Sequence, residues 1–149
     1  MTELRIAIVG TRPPDGRRYD PDPIQDRRDW SVISTHCRAH LYELLREHGR
    51  FTVVSGGAFG IDSIAEEFAR KERLSRTIIT PDYDAFRGRE KLAPLSRNGL
   101  IVAACDLMHA WPKRSRGGTD DAIEKMERAI AKGEKRPGTL VVHRPWEAP

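Results

Sequence analysis

The sequence predicts an α/β domain, a three-layer doubly wound parallel sheet of about five strands, folded as a single unit over residues 1–149. Three observations predict it. Short runs rich in β-branched residues alternate with stretches of helical spacing. Strict strand–helix alternation calls for a parallel sheet with helices on both faces and right-handed crossovers. The length, 149 residues, is that of about one ordinary domain.

The strand runs fall at residues 4–9, 51–54, 77–80, 106–111 and 139–143. Runs this short and apolar read as buried strands. The first helix follows from Ile33, Cys37, Leu41, Leu44, Leu45 and His48, which share one helical face. Asp29 or Ser31 is placed to cap it, and Gly49 to end it. Ile64, Ala65, Phe68 and Ala69 make a second face, with Asp62 as its expected N-cap. Residues 95–104 form a third helix, entered through Pro94. Ala122, Ile123, Met126, Ala129 and Ile130 form a fourth, capped by Thr119 and stopped at Gly133. Two polar, proline-bearing segments interrupt the alternation and read as long loops, residues 11–30 and 81–90. Both follow strands, at the sheet edge where open α/β sheets bind ligands.

Composition narrows the function classes. Lys plus Arg number 26 against 22 Asp plus Glu, a net charge of +4. The mean hydropathy is −0.59, and no apolar run approaches the roughly 18 residues a membrane span requires. The opening residues lack the apolar stretch of a secretory signal. Cys37 and Cys105 are too few for a disulfide framework or a thiolate zinc site. The expectation is a cytoplasmic, reduced protein with a mild preference for anionic partners.

Three glycine turns carry the chemistry. Ser55-Gly56-Gly57-Ala58-Phe59-Gly60-Ile61-Asp62 runs from a strand into a helix. Glycines let backbone amides approach an anion, and a helix N-terminus favours negative charge, so the turn reads as a phosphate cradle. Its G-G-x-x-G spacing matches neither the dinucleotide fingerprint nor a P-loop. A second turn, from Trp111 through Lys113, Arg114, Arg116, Gly117 and Gly118 to Thr119, repeats the plan with three basic side chains. Here Asp120 and Asp121 suit the helix start on dipole grounds. The third turn, Gly10-Thr11-Arg12, places a hydroxyl and a guanidinium at the same edge.

These turns, together with Ser96-Arg97-Asn98 ahead of the fourth strand, resemble the SLOG superfamily over residues 5–143. That group includes the DNA-processing DprA proteins, the LOG-type phosphoribohydrolases and the small YspA-like proteins, and the short chain looks nearest to the last. The resemblance implies a Rossmann-like domain binding a nucleotide or a nucleotide-derived ligand. It also implies that Arg97 and Asp121 occupy the positions of the arginine and glutamate with which LOG enzymes cleave a nucleoside monophosphate's N-glycosidic bond. Asp121 is one methylene shorter than that glutamate, the turn is two residues longer, and Ala122 replaces the second acid. If catalysis carried over, the Asp121 carboxylate would stabilise positive charge on the ribose and Arg97 would hold the phosphate or stabilise the departing base.

The expected ligand-binding set is Gly10, Thr11, Arg12, Ser55, Gly56, Gly57, Gly60, Asp62, Asn98, Trp111, Arg116, Gly117, Gly118 and Thr119, with Trp111 available to stack on a base. His36 and His40 are one helical turn apart, but with no third ligand evident in sequence no metal is expected, and no cofactor is expected either. Arg17-Arg18 and Arg27-Arg28 could track a phosphate backbone. Three readings stay open: a small-molecule nucleotide-binding protein with or without hydrolysis, a DprA-like single-strand nucleic-acid module, and a ligand sensor without turnover. The nucleic-acid reading is the weaker, because interleaved aromatic and basic residues are lacking. Self-association into a homo-oligomer is expected, and a membrane partner is not.

Overall fold

A computed structural model describes residues 3–14 and 23–147. The expected Arg17-Arg18 pair lies outside the described residues. Five parallel strands, β1 (Arg5–Gly10), β2 (Thr52–Ser55), β3 (Arg76–Ile78), β4 (Leu107–Trp111) and β5 (Leu140–Val142), form one sheet in the order β3-β2-β1-β4-β5. Four helices cover it, α1 (Pro23–His48), α2 (Ile61–Lys71), α3 (Leu92–Ala104) and α4 (Gly118–Ala131). The α/β, Rossmann-like architecture read from the alternation is the one observed. No helix among the described residues is long and apolar enough to cross a membrane.

Side-chain alternation along the strands sorts the core into two layers. Ile6, Ile8, Val53 and Trp111 face α1 and α2, where they meet Ile33, Cys37, Leu41, Ile61 and Ala65. Ala7, Val9, Val54, Met108 and Ala110 face the opposite way, against Ile101, Val102, Ile123 and Met126 of α3 and α4. Both cysteines are free and buried, and burial pushes the Cys37 thiol up to about 12 and that of Cys105 to about 11. They are core side chains, inert at neutral pH.

Several local expectations are corrected. Residues 23–30 are not loop but the opening of α1, so Asp29 and Ser31 lie inside a helix instead of capping it. Pro23 stands at its first position, where a missing N–H costs nothing. Its polar opening residues hid the helix, because only one side of these turns meets protein. The α2 cap is Gly60 and not Asp62. Gly60 has φ +109, and a Cβ there would sit 2.5 Å from the Thr11 carbonyl, so the crossing of the first loop over α2 demands glycine. At α4 the cap is Gly117 and not Thr119, with the Asp120 carboxylate accepting from the Gly117 N–H at 2.7 Å. Finally, the two edge strands are not buried: β3 is exposed along its length, and β5 has Val141 exposed between half-buried neighbours. The third helix starts at Leu92 instead of residue 95, with Pro94 inside its first turn, and the ends of α1 and α4 are as read, with positive φ at Gly49 and Gly133.

Candidate functional site

Strand order reverses between β1 and β4, whose neighbours β2 and β5 lead outward in opposite directions. At such a switch point the loops leaving the strands diverge and open a crevice. A cleft of about 420 Å³ lies there. The loop after β1 lines one side through Gly10, Thr11 and Arg12. Lys113, Gly117, Gly118 and Thr119 line another, and Arg97 and Asn98 of α3 close it from a third. Asp62 of α2 reaches in from below.

Thr11, just after β1, is tied down on both sides. Thr11 N–H donates to the Trp111 carbonyl at 3.0 Å, and Ile61 N–H donates to the Thr11 carbonyl at 3.2 Å. Gly10 has no room for a side chain, since a Cβ would meet Ile61 at 2.6 Å. At the α4 start, the amides of Gly118 and Thr119 come before Asp120, whose N–H donates to the Gly117 carbonyl, and they carry the positive end of the helix dipole.

The turn from Ser55 to Asp62 is arranged differently from its sequence reading. The Gly56 and Ala58 N–H groups already donate to Asp62 Oδ2, at 3.2 and 3.1 Å. The anion in this cradle is the protein's own carboxylate. Burial raises the Asp62 carboxyl to about 6, against the pull of those amides and of Arg97. Ser55 is fully buried and donates to Glu66 at 2.8 Å. Ser55, Gly56, Gly57 and Gly60 do not line the cleft. They brace it, because Gly56 offers its carbonyl to Arg97 Nη1, and a Cβ there would strike that guanidinium.

Arg97 and Asp121 belong to one hydrogen-bonded chain. Arg97 Nε donates to Asn98 Oδ1 at 3.1 Å, and Asn98 Nδ2 donates to Asp121 Oδ2 at 3.0 Å. The same Asp121 oxygen accepts from Lys125 Nζ at 2.7 Å. Arg97 lines the cleft while Asp121 does not. Burial lowers the pKa of Arg97, offset by Asp62. Arg116 also lies off the cleft, paired with Glu124 at 2.6 Å. Trp111 is fully buried beneath α1, where its Nε1 donates to His36 Nδ1 at 3.0 Å, so its ring is not available to stack on a base.

Two features have no local signal in the sequence. Asp29 and Trp30 line the cleft from α1, and Asp29 holds Arg114 through two bonds of 2.9 and 3.1 Å. Both residues fall in a segment that reads as loop. Second, His36 and His40 meet His109 of β4 and His143 beyond β5 under α1. His109 Nδ1 and His143 Nε2 lie 2.9 Å apart. Burial, then the neighbouring imidazoles, push His109 down to about 4 and His143 to about 3.

No protein-family model matches the sequence, and no curated protein matches it closely enough to count as a relative. Solved structures of similar fold include DNA processing protein A from Helicobacter pylori, whose single-stranded DNA binding mode was the subject of that structure. It is 22% identical, with a TM-score of 0.57 over 95% of this chain and 65% of that one. The structural-genomics target TM1055 is 17% identical, with a TM-score of 0.54 over 92% of this chain and 76% of its own. DNA processing protein A from Streptococcus pneumoniae is 16% identical, with a TM-score of 0.54, 94% of this chain being covered. The chain thus spans 65% and 50% of the two DNA processing proteins. At these identities the likeness is one of fold, and it agrees with the resemblance to the DprA–LOG group that the glycine turns carry.

Proposed function

We propose that the cleft at the carboxyl ends of β1 and β4 binds the phosphate of a nucleotide or nucleotide-derived ligand. The observation that carries this reading is the meeting of the Gly118 and Thr119 amides with Arg12, Lys113 and Arg97 around a cavity of about 420 Å³. That volume is within the range of small-molecule sites. Of the four acids in the cleft wall, Asp29 is paired with Arg114, Asp62 with two amides and Asp120 with Gly117, and Asp26 stands in the first turn of α1. Arg12 and Lys113 form no ion pair among the described residues, which leaves their charge for a ligand. Binding without hydrolysis fits better than N-glycosidic cleavage. The carboxylate that hydrolysis would need, Asp121, stands outside the cleft wall and is shared by Asn98 and Lys125.

Calorimetric titration with a nucleoside 5′-monophosphate and with its unphosphorylated nucleoside tests the reading. The monophosphate binds and the nucleoside binds far more weakly. Lys113→Ala weakens the monophosphate about 10- to 100-fold, the worth of one charge-assisted contact. Equal affinity for both ligands contradicts a phosphate site. A second reading, favoured by the fold shared with DNA processing protein A, is that the phosphate belongs to single-stranded DNA. An oligonucleotide that binds more tightly than the mononucleotide, with affinity falling steeply as salt rises, would select it.

A further inference from the structure

Outside the cleft, on the α1 side of the sheet, three imidazoles converge from elements far apart in sequence. They are His40 of α1, His109 of β4 and His143 just beyond β5. Their candidate ligand nitrogens all lie within 4.8 Å of one another. We infer that these three histidines form a binding site for a zinc-like divalent transition metal.

Three observations beyond proximity point this way. First, His40 Nε2 is buried and has no hydrogen-bond partner. Leaving a buried polar nitrogen unsatisfied costs about 1–3 kcal/mol, and the native account of such an atom is an ordered water or an ion. Second, the other nitrogen of that ring, Nδ1, faces the Glu43 carboxylate at 3.3 Å. A proton held on Nδ1 by Glu43 leaves the Nε2 lone pair bare, which is the carboxylate–histidine–metal arrangement that orients a ligating imidazole. Third, the fourth histidine is already committed. His36 Nδ1 accepts from Trp111 at 3.0 Å, which places its proton on Nε2 and makes it a packing neighbour instead of a ligand.

A hydrogen bond between His109 and His143 accounts for their 2.9 Å contact but leaves His40 Nε2 alone. A metal accounts for all three. A tetrahedral ion with Zn–N distances of about 2.0–2.1 Å holds its ligand nitrogens roughly 3.3 Å apart. That lies between the 2.9 Å contact of His109 with His143 and the 4.8 Å within which all three nitrogens fall, so modest ring rotations suffice. Three neutral nitrogens with no carboxylate among them suit zinc and its transition-metal neighbours, and do not suit magnesium or calcium. Three protein ligands leave a fourth position open to water or another ligand.

The experiment is titration of EDTA-treated, dialysed protein with zinc chloride, followed by calorimetry and by thermal midpoint. One ion per chain is expected, with a raised midpoint. His143→Gln is expected to lower affinity at least 100-fold. Glu43→Gln lies at an exposed helix position and keeps the fold; it should cost about 10- to 100-fold by freeing the His40 ring. Cobalt(II) in place of zinc should give the intense visible bands of a four-coordinate site. Absence of saturable binding overturns the inference, as does zinc binding undiminished in His143→Gln, or a weak six-coordinate cobalt spectrum. Should His143→Gln fail to fold, Glu43→Gln decides: wild-type affinity in that variant overturns the site as drawn.

Discussion

Asp62 sits beneath the cleft with its carboxylate bonded to the Gly56 and Ala58 amides and its charge facing Arg97. Burial outweighs these favourable contacts, so the folded carboxyl titrates near 6 against 3.8 for the free side chain. A pKa raised on folding means the folded state holds the proton more tightly. The buried charge therefore costs stability above pH 6, on the order of 3 kcal/mol, and that cost is relieved as pH falls toward 4. Asp62→Asn keeps an oxygen for the amides and removes the charge. Thermal midpoints compared across pH should show the variant gaining on the wild type at pH 7.5 relative to pH 4.5. A difference between the two proteins that does not vary with pH would contradict a buried, titrating carboxylate. The turn's glycines were legible in the sequence, but their internal anion was not. A cradle looks the same on paper whether it holds a ligand or the aspartate six residues on.

Among the elements, α1 departs most from its sequence reading. Twenty-six residues at about 1.5 Å each make it roughly 39 Å long. Its apolar stripe from Ile33 to Leu44 was plain, since those side chains keep helical spacing against the sheet. Its first two turns were not, because what they bury is a charge. Asp29 is almost wholly covered and is held by the half-exposed Arg114 from the loop after β4. That guanidinium keeps the Asp29 carboxyl below its usual range, and it also lies 4.7 Å over the Trp146 ring. Asp29→Asn should cost about 1–2 kcal/mol, the loss of a charge-assisted pair whose exposed partner can rehydrate. The loss should fall on the start of α1, with faster amide hydrogen exchange over residues 24–32 and little change near Leu41. Uniform acceleration along the helix would contradict a local tie.

At the scale of the whole molecule, the sheet order and both core layers follow from period-two strands and helical stripes, which the sequence displays openly. Topology then decides which turns share a site. It brings the first loop, the α3 residues Arg97 and Asn98, and the α4 start around one cleft at the strand-order reversal. It withdraws Trp111 and Arg116, whose faces point elsewhere, the first by strand alternation and the second by its pair with Glu124. It also assembles four histidines from residues 36 to 143, a meeting that no local spacing announces. The central claim is that the cleft is built for a phosphate at the start of α4. A crystal of the chain grown with a nucleoside 5′-monophosphate tests this most directly. Phosphate density is expected within hydrogen-bond distance of the Gly118 and Thr119 amides, with Lys113 turned toward it. Phosphate bound elsewhere on the surface, or a cleft left empty at saturating ligand, would contradict it.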